Sequence, residues 1–203
     1  DNGQMLLRDE LLEAFPRPPY AVRQHIADYY GMIAHLDAAV GDILKALGDN
    51  SDEGKTIVVY TADHGLALGQ HGLMGKQNLY EHSLHIPLII AGPGLPHGQR
   101  LPHLVWHADT SATLLELAGC APDPMAEGLS LLPIMNDAEA GWRDSFAAAY
   151  RFSQRMIRDS RYKLVRYIDQ DALGHGPYRA DNTPSRGSHT EQLFDLAADP
   201  GET

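Results

Sequence analysis

Cysteine is almost absent from this 203-residue chain. Cys120 stands alone, so no intramolecular disulfide can form and the redox compartment stays unmarked. Basic residues are also scarce, 16 against 27 acidic ones for a net charge of -11. That deficit excludes the basic stripe a nucleic-acid surface needs. The acidity reads as a solubility feature, with metal ligation by some carboxylates as the alternative. No apolar run approaches the ~18 residues needed to span a bilayer. The opening DNGQMLLRDE lacks the basic start and apolar run of a signal peptide. So abrupt a beginning is compatible with a fragment of a longer chain. What is present is an ordinary globular share of hydrophobic residues, 43%, enough for a sizeable core.

Residues 1–23 read as irregular, because Pro16, Pro18 and Pro19 interrupt any long helix. From 24 to 47, Ile26, Tyr29, Tyr30, Ile33, Leu36, Val40, Ile43, Leu44 and Leu47 recur at three- and four-residue steps. Gly48 stands where such a helix would end. The stripe predicts a face packed on a sheet, with Tyr29 and Tyr30 in the core. TIVVYT (56–61) is a short β-branched run between loop signals, which predicts a strand buried on both faces. HIPLIIAGPG (85–94) is a second apolar run. DTSATLLELAG (109–119) predicts a helix capped by Asp109 or Thr110 and closed by Gly119. RMIRDSRYKLVRY (155–167) reads as a hairpin about Asp159-Ser160, and EQLFDL (191–196) as a further strand. Residues 169–190 form an aperiodic loop, long enough to be functional or disordered. Alternating helices and strands predict an α/β sheet of mainly parallel strands over 1–145. A small antiparallel unit follows over 146–203.

Chemistry concentrates in TADHGLALGQHGLMGKQNLYEHSLHIPLII (61–90). In open α/β sheets the ligand crevice lies beyond the carboxyl ends of the strands, which is where Asp63 and His64 fall. A carboxylate and a neutral imidazole both ligate divalent metals; the same residue types also serve in turns and caps. Gly65, Gly69, Gly72 and Gly75 make a loop able to pass close to a ligand. Lys76, thirteen residues after Asp63, would be a point charge for an anionic oxygen, or else an exposed lysine. His82 and His85 read as structural or surface residues, since the metalloprotease spacing is missing. His71 is left undecided.

ADHGxxLGxHGLxGKxxxYE, followed by HIPLIIAGPG, resembles the second signature half of the sulfatase family, in the alkaline-phosphatase-like superfamily. Asp-His rather than Asp-Asn resembles its iduronate-2-sulfatase-like and choline-sulfatase-like branches. YYGMIAHLDAAVGDILKAL, DTSATLLELAG, GLSLLPIM and EQLFDLAADPGET resemble further family segments in the same order, so the resemblance covers the chain from about residue 24. It implies an alkaline-phosphatase-like sheet flanked by helices and a small C-terminal antiparallel sheet. It implies a metal-dependent sulfuric ester hydrolase, with Asp63 and His64 as ligands of a divalent ion. Calcium is the expected ion, with magnesium or manganese as alternatives. Lys76 would contact the sulfate of a small-molecule or glycan ester.

The resemblance also implies what to look for and not find. The family nucleophile is a formylglycine made from Cys or Ser in a Cys/Ser-x-Pro-x-Arg motif, near a pair of metal-binding aspartates. Cys120-Ala-Pro-Asp-Pro has Pro124 where Arg is needed, and Asn182-Thr-Pro-Ser-Arg186 begins with a residue that cannot become an aldehyde. Both follow the Asp-His strand, the wrong order. The chain is therefore expected to be a C-terminal portion, inactive alone and open to self-association through uncovered apolar surface. Phosphate or phosphonate ester hydrolysis within the same superfamily is the alternative chemistry. A non-catalytic truncated binding module is the alternative class. The 11 histidines are scattered rather than clustered, which counts against a metal store. Neither the particular ester nor the compartment follows from the sequence.

Overall fold

The computed structural model describes residues 9–50, 52–151, 154–167 and 191–203. Its longest element is helix α1, Pro19–Asp49. It starts earlier than the proline-rich sequence suggested, because Pro19 occupies the first turn, where a missing N–H costs nothing. It also passes Gly48 and is closed by Asn50, whose backbone and side-chain amides both donate to Ala46 O. No residue of α1 is buried. Tyr30 is 66% exposed and Ile43 68%, so the expected packing of this stripe on a sheet is not realised, nor the core place of Tyr30. Among the described residues no layer lies over that face.

Strand β1, Val58–Thr61, pairs with β4, Leu88–Ala91, in the register Val58↔Ala91 to Thr61↔Leu88. The pair is antiparallel, whereas helix–strand alternation had predicted mainly parallel strands; every strand pair among the described residues is antiparallel. Nor is β1 covered on both faces, since Tyr60 and Thr61 are exposed. A two-stranded sheet has too few neighbours to bury both sides. Between β1 and β4 lie a minimal hairpin, β2 (Ala67–Leu68) with β3 (Met74–Gly75), and the one-turn helix α2, Glu81–Leu84.

Helix α3, His107–Leu117, begins two residues before the expected segment. Asp109 does not stand at its N-cap. Trp106 does, and the Asp109 carboxylate in the first turn accepts both the Trp106 amide and its indole N–H at 3.0 Å. It also accepts Leu129 N at 2.8 Å and pairs with Arg143. Burial alone would raise the Asp109 carboxyl, but Arg143 and these amides outweigh it and hold it below its ordinary range. Helix α4, Leu132–Asn136, follows. Strands β5 (Phe146–Tyr150), β6 (Gln154–Arg158), β7 (Tyr162–Tyr167) and β8 (Glu191–Asp195) form one antiparallel sheet in chain order. The β6–β7 hairpin turns at Asp159, as its sequence predicted. β5 was not foreseen, because Ala147, Ala148 and Ala149 carry little strand preference. The long loop expected over 169–190 lies outside the described residues.

The described core has two centres. One joins Leu95, Leu131, Ile134 and Met135 beneath β4, with Ile57 just before β1 packed against it. The other joins Ala67, Leu73, Leu79 and Tyr80 to Met156, Val165, Tyr167 and Phe194 of the four-stranded sheet. The C-terminal sheet therefore supports the glycine-rich segment that leaves Asp63 and His64.

Candidate active site

β1 ends at Thr61, whose hydroxyl donates to Pro87 O at 2.8 Å. His107 at the start of α3 contacts Ala62 O through Nε2 at 2.8 Å. These two contacts hold the turn that presents Asp63 and His64. Gly65 then donates to Ser83 O at 2.9 Å, and a Cβ on Gly65 would lie 1.9 Å from His82 O. Only glycine permits the chain to pass α2 so closely.

The Asp63 carboxylate accepts His64 N at 2.9 Å, and its second oxygen lies 3.3 Å from His64 Nε2. His64 Nδ1 lies 3.0 Å from Gly65 O. A carbonyl only accepts, so this contact places the imidazole proton on Nδ1 and leaves Nε2 with a lone pair in the neutral ring. A carboxylate oxygen and an imidazole lone pair then face one region of space. The Asp63 side chain is 85% exposed. A divalent cation satisfies that arrangement, and the Nδ1-to-carbonyl contact is the support metal-bound histidines commonly have. The two residues fit as part of a ligand set: among the described residues no group of three or more His, Cys, Asp or Glu is arranged to hold an ion.

Lys76 follows β3 directly. Ala67 pairs with Gly75, so the hairpin returns the chain to within a strand spacing, about 5 Å, of a residue four positions beyond Asp63. The Lys76 side chain is exposed, and no acidic group pairs with its ammonium among the described residues. The structure thus joins Asp63 to His64 directly and brings Lys76 back along the same excursion.

The other histidines separate. His71 sits at φ 54° and stacks on Tyr80 with ring centroids 4.0 Å apart and planes 10° apart. His82 lies beside both rings, and burial, together with the nearby His71 and Lys163, lowers its pKa to about 4. His85 is exposed, with a long contact of 3.7 Å to Glu81. Below them, Lys163 Nζ is fully buried and pairs with Glu81 at 2.9 Å and Glu202 at 2.7 Å, while Arg158 also reaches Glu81. Burial raises both carboxyls, but Lys163 and Arg158 outweigh it at Glu81 and hold that group low. Glu202 has Lys163 as its one cationic partner among the described residues and, though it accepts Glu81 N, faces the Glu81 carboxylate, so burial wins and its pKa rises. Cys120 is exposed; the Asn182 motif lies outside the described residues.

Sequence reasoning missed His107, which contacts Ala62 O, and the buried Asp9–Arg17 ion pair, which bonds Met74 N and Gly72 O. Asp9 and Arg17 belong to a stretch with no periodicity, and His107 precedes the helix the sequence suggested. The first apolar residues after the prolines could not have located them.

The family profile described as Sulfatase matches residues 7–120, more than half of the chain. The profile described as N-sulphoglucosamine sulphohydrolase, C-terminal, matches residues 69–175. Arylsulfatase K of Mus musculus is 33% identical over 193 residues, 87% of this chain and 31% of the relative. Choline-sulfatase of Rhizobium meliloti is 33% identical over 187 residues, 89% of this chain and 33% of the relative. Among solved structures, one in complex with its substrate D-glucosamine-2-N,6-O-disulfate superposes with a TM-score of 0.73 at 25% identity. That match covers 90% of this chain and 36% of the other. The phosphonate monoester hydrolase of Agrobacterium radiobacter gives 0.73 at 29% identity, covering 90% and 37%. The chain spans about a third of the length of the curated relatives it matches. No helix among the described residues is long and apolar enough to cross a membrane.

Proposed function

Since this chain belongs to the sulfatase family, we propose that it is the part of a sulfuric ester hydrolase that supplies two metal ligands and one substrate-anion contact. Asp63 and His64 are the ligands and Lys76 is the contact. The observation that carries this reading is the Asp63–His64 geometry, a carboxylate oxygen 3.3 Å from an imidazole nitrogen whose ring partner nitrogen lies 3.0 Å from Gly65 O. Sulfatases generally use a divalent metal and a formylglycine. We assign the metal here as calcium, which takes six or more ligands, mostly oxygen; Asp63 and His64 are therefore a minority of the shell. When bound, such an ion acts as a Lewis acid toward the ester oxygens.

The residues of this chain have the remaining tasks. His64, fixed by Gly65 O, presents Nε2 without needing to reorient. Lys76 places a positive charge against the oxygens of the sulfate group while the S–O bond to the departing alcohol breaks. The small unit from residue 146 onward holds the segment between them through the Tyr80 core. Substrates in this reading are small-molecule or glycan sulfate esters.

A phosphonate or phosphate ester hydrolase is the second reading, favoured by the likeness to the Agrobacterium enzyme. The deciding experiment is turnover of an aryl sulfate, an aryl phosphate and an aryl phosphonate by the full-length protein, with and without chelation and calcium return. Sulfate preferred, and activity lost on chelation, is the expected result. A phosphonate preference would overturn the first reading, as would undiminished activity in Asp63→Ala or His64→Ala.

A further inference from the structure

The segment before α1 is built into the candidate site. Asp9 is buried, and its carboxylate accepts Met74 N at 2.7 Å and Leu11 N at 3.1 Å. It also receives a two-pronged bond from Arg17, Nη1 to Oδ1 at 2.9 Å and Nη2 to Oδ2 at 2.6 Å. Side-chain exposure in this pair is 0% for Asp9 and 5% for Arg17. Arg17 reaches onward to Gly72 O and ties its own segment down through Glu13 O. The neighbouring residue completes the attachment: Glu10 N donates to Met74 O at 3.0 Å, and Glu10 Oε1 accepts Lys76 N at 3.3 Å. At Gly75, where φ is +99°, an added Cβ would lie 2.6 Å from the Glu10 side chain. Residues 72, 74 and 76 are thus each bonded to the segment 9–17.

These bonds surround the residue that follows β3. The β2–β3 hairpin has only two residues per strand, too short to hold its own geometry. A buried, forked Arg–carboxylate pair has the directional rigidity the hairpin lacks. We propose that Asp9 and Arg17 are positioning residues, a latch that fixes the backbone from Gly72 to Lys76 and so sets where the Lys76 ammonium meets an anionic ester. This rests on the reading of Lys76 given above. It places part of the site's precision in a segment that carries none of its chemistry.

The test uses the full-length protein. Arg17→Lys keeps the positive charge and removes the fork; Asp9→Asn keeps the shape and removes the charge. Hydrogen exchange is followed in peptides covering Met74–Lys76, with β6 and β7 as internal reference. Each variant is expected to speed exchange at 74–76 about tenfold while the reference holds. KM for an aryl sulfate is expected to rise about tenfold with a smaller change in kcat, and Arg17→Lys should add nothing in a Lys76→Ala background. Unchanged exchange at 74–76 overturns the latch, and so does acceleration spread evenly through β6 and β7, which would mark a general stabilising pair. Should Asp9→Asn fail to fold, Glu10→Ala supplies the same readout at the Lys76 amide. Exchange that responds while Lys76→Ala leaves kcat/KM unchanged supports the latch and removes the anion-contact reading beneath it.

Discussion

The Lys163 ammonium lies 2.7 Å from the Glu202 carboxylate, with the lysine side chain fully buried and the glutamate 1% exposed. This ion pair ties the last residues of the chain to the middle of the four-stranded sheet. Glu202 also accepts Glu81 N at 2.7 Å, so one carboxylate secures α2 as well. Glu202→Ala would leave that amide unpaired and Lys163 with Glu81 alone. Removing one member of a buried pair costs ~3–5 kcal/mol, less where a second partner remains. We expect a loss of about 2–3 kcal/mol, measured as a fall in the urea midpoint at unchanged slope. A midpoint within error of the parent would show the pair to be energetically idle.

Acid should weaken the fold before Asp9, Glu81 and Asp109, the buried carboxylates held low, titrate. His82 has its pKa lowered to about 4 from an ordinary 6.5, by burial first and then by His71 and Lys163. Between those values the unfolded chain binds a proton that the folded one refuses. Its contribution is therefore complete above about pH 6.5, falls as the pH drops, and is gone near pH 4. The effect is on the order of 2 kcal/mol, allowing for partial exposure of the ring. Urea midpoints at pH 7, 6, 5 and 4 read it directly. His82→Phe should flatten the decline over pH 6 to 5; an equally steep decline in that variant would assign the sensitivity elsewhere.

The mixed α/β class and the small C-terminal antiparallel sheet were legible in the sequence. Asp63, His64 and Lys76 stand in a local motif, and local motifs survive in any portion of a chain that contains them. Helix α1 was legible for the same reason, since three- and four-residue periodicity needs no partner. What the periodicity could not say is whether the partner is present. The expected burial of Tyr30 and of both faces of β1 fails because burial depends on other layers. The antiparallel pairing of β1 with β4 departs from the mainly parallel expectation because alternation of element types carries no information on a short return through α2. Asp109 was placed as a cap by residue type, yet its position two residues inside α3 lets it gather the Trp106 amide, Leu129 and Arg143 at once. Long-range polar ties of this kind, Arg17 with Asp9 and Lys163 with Glu202 among them, leave no periodic trace.

Lys76 offers a sharp test of the proposed chemistry. A single preorganised charge acting on a transition-state anion contributes about 10²–10³ in rate. In the full-length protein, Lys76→Ala should reduce kcat/KM for an aryl sulfate by that factor and weaken inhibition by inorganic sulfate. Lys76→Arg should recover part of the loss, because charge is kept while the point-like geometry is not. Thermal stability should be unaffected, since the side chain is exposed. A loss of activity accompanied by a matching fall in Tm would make Lys76 a structural residue instead.

The uncovered stripe of α1 should behave oppositely in short and long chains. Ile33 is 44% exposed, Ile43 68% and Leu44 46%, a run of apolar surface of the kind that drives association when nothing covers it. In the 203-residue chain alone, Ile33→Glu with Ile43→Lys should reduce self-association in sedimentation velocity and leave Tm unchanged or higher. In a full-length sulfatase the same stripe has other layers available to it, and introducing two charges there should lower Tm and diminish soluble yield. Charged groups cost little on a surface and several kcal/mol when buried without a partner. The contrast between the two chains therefore measures burial directly. Equal tolerance in both would identify the stripe as ordinary surface and favour a separate binding module; equal damage in both would mean that the stripe is already packed in the short chain.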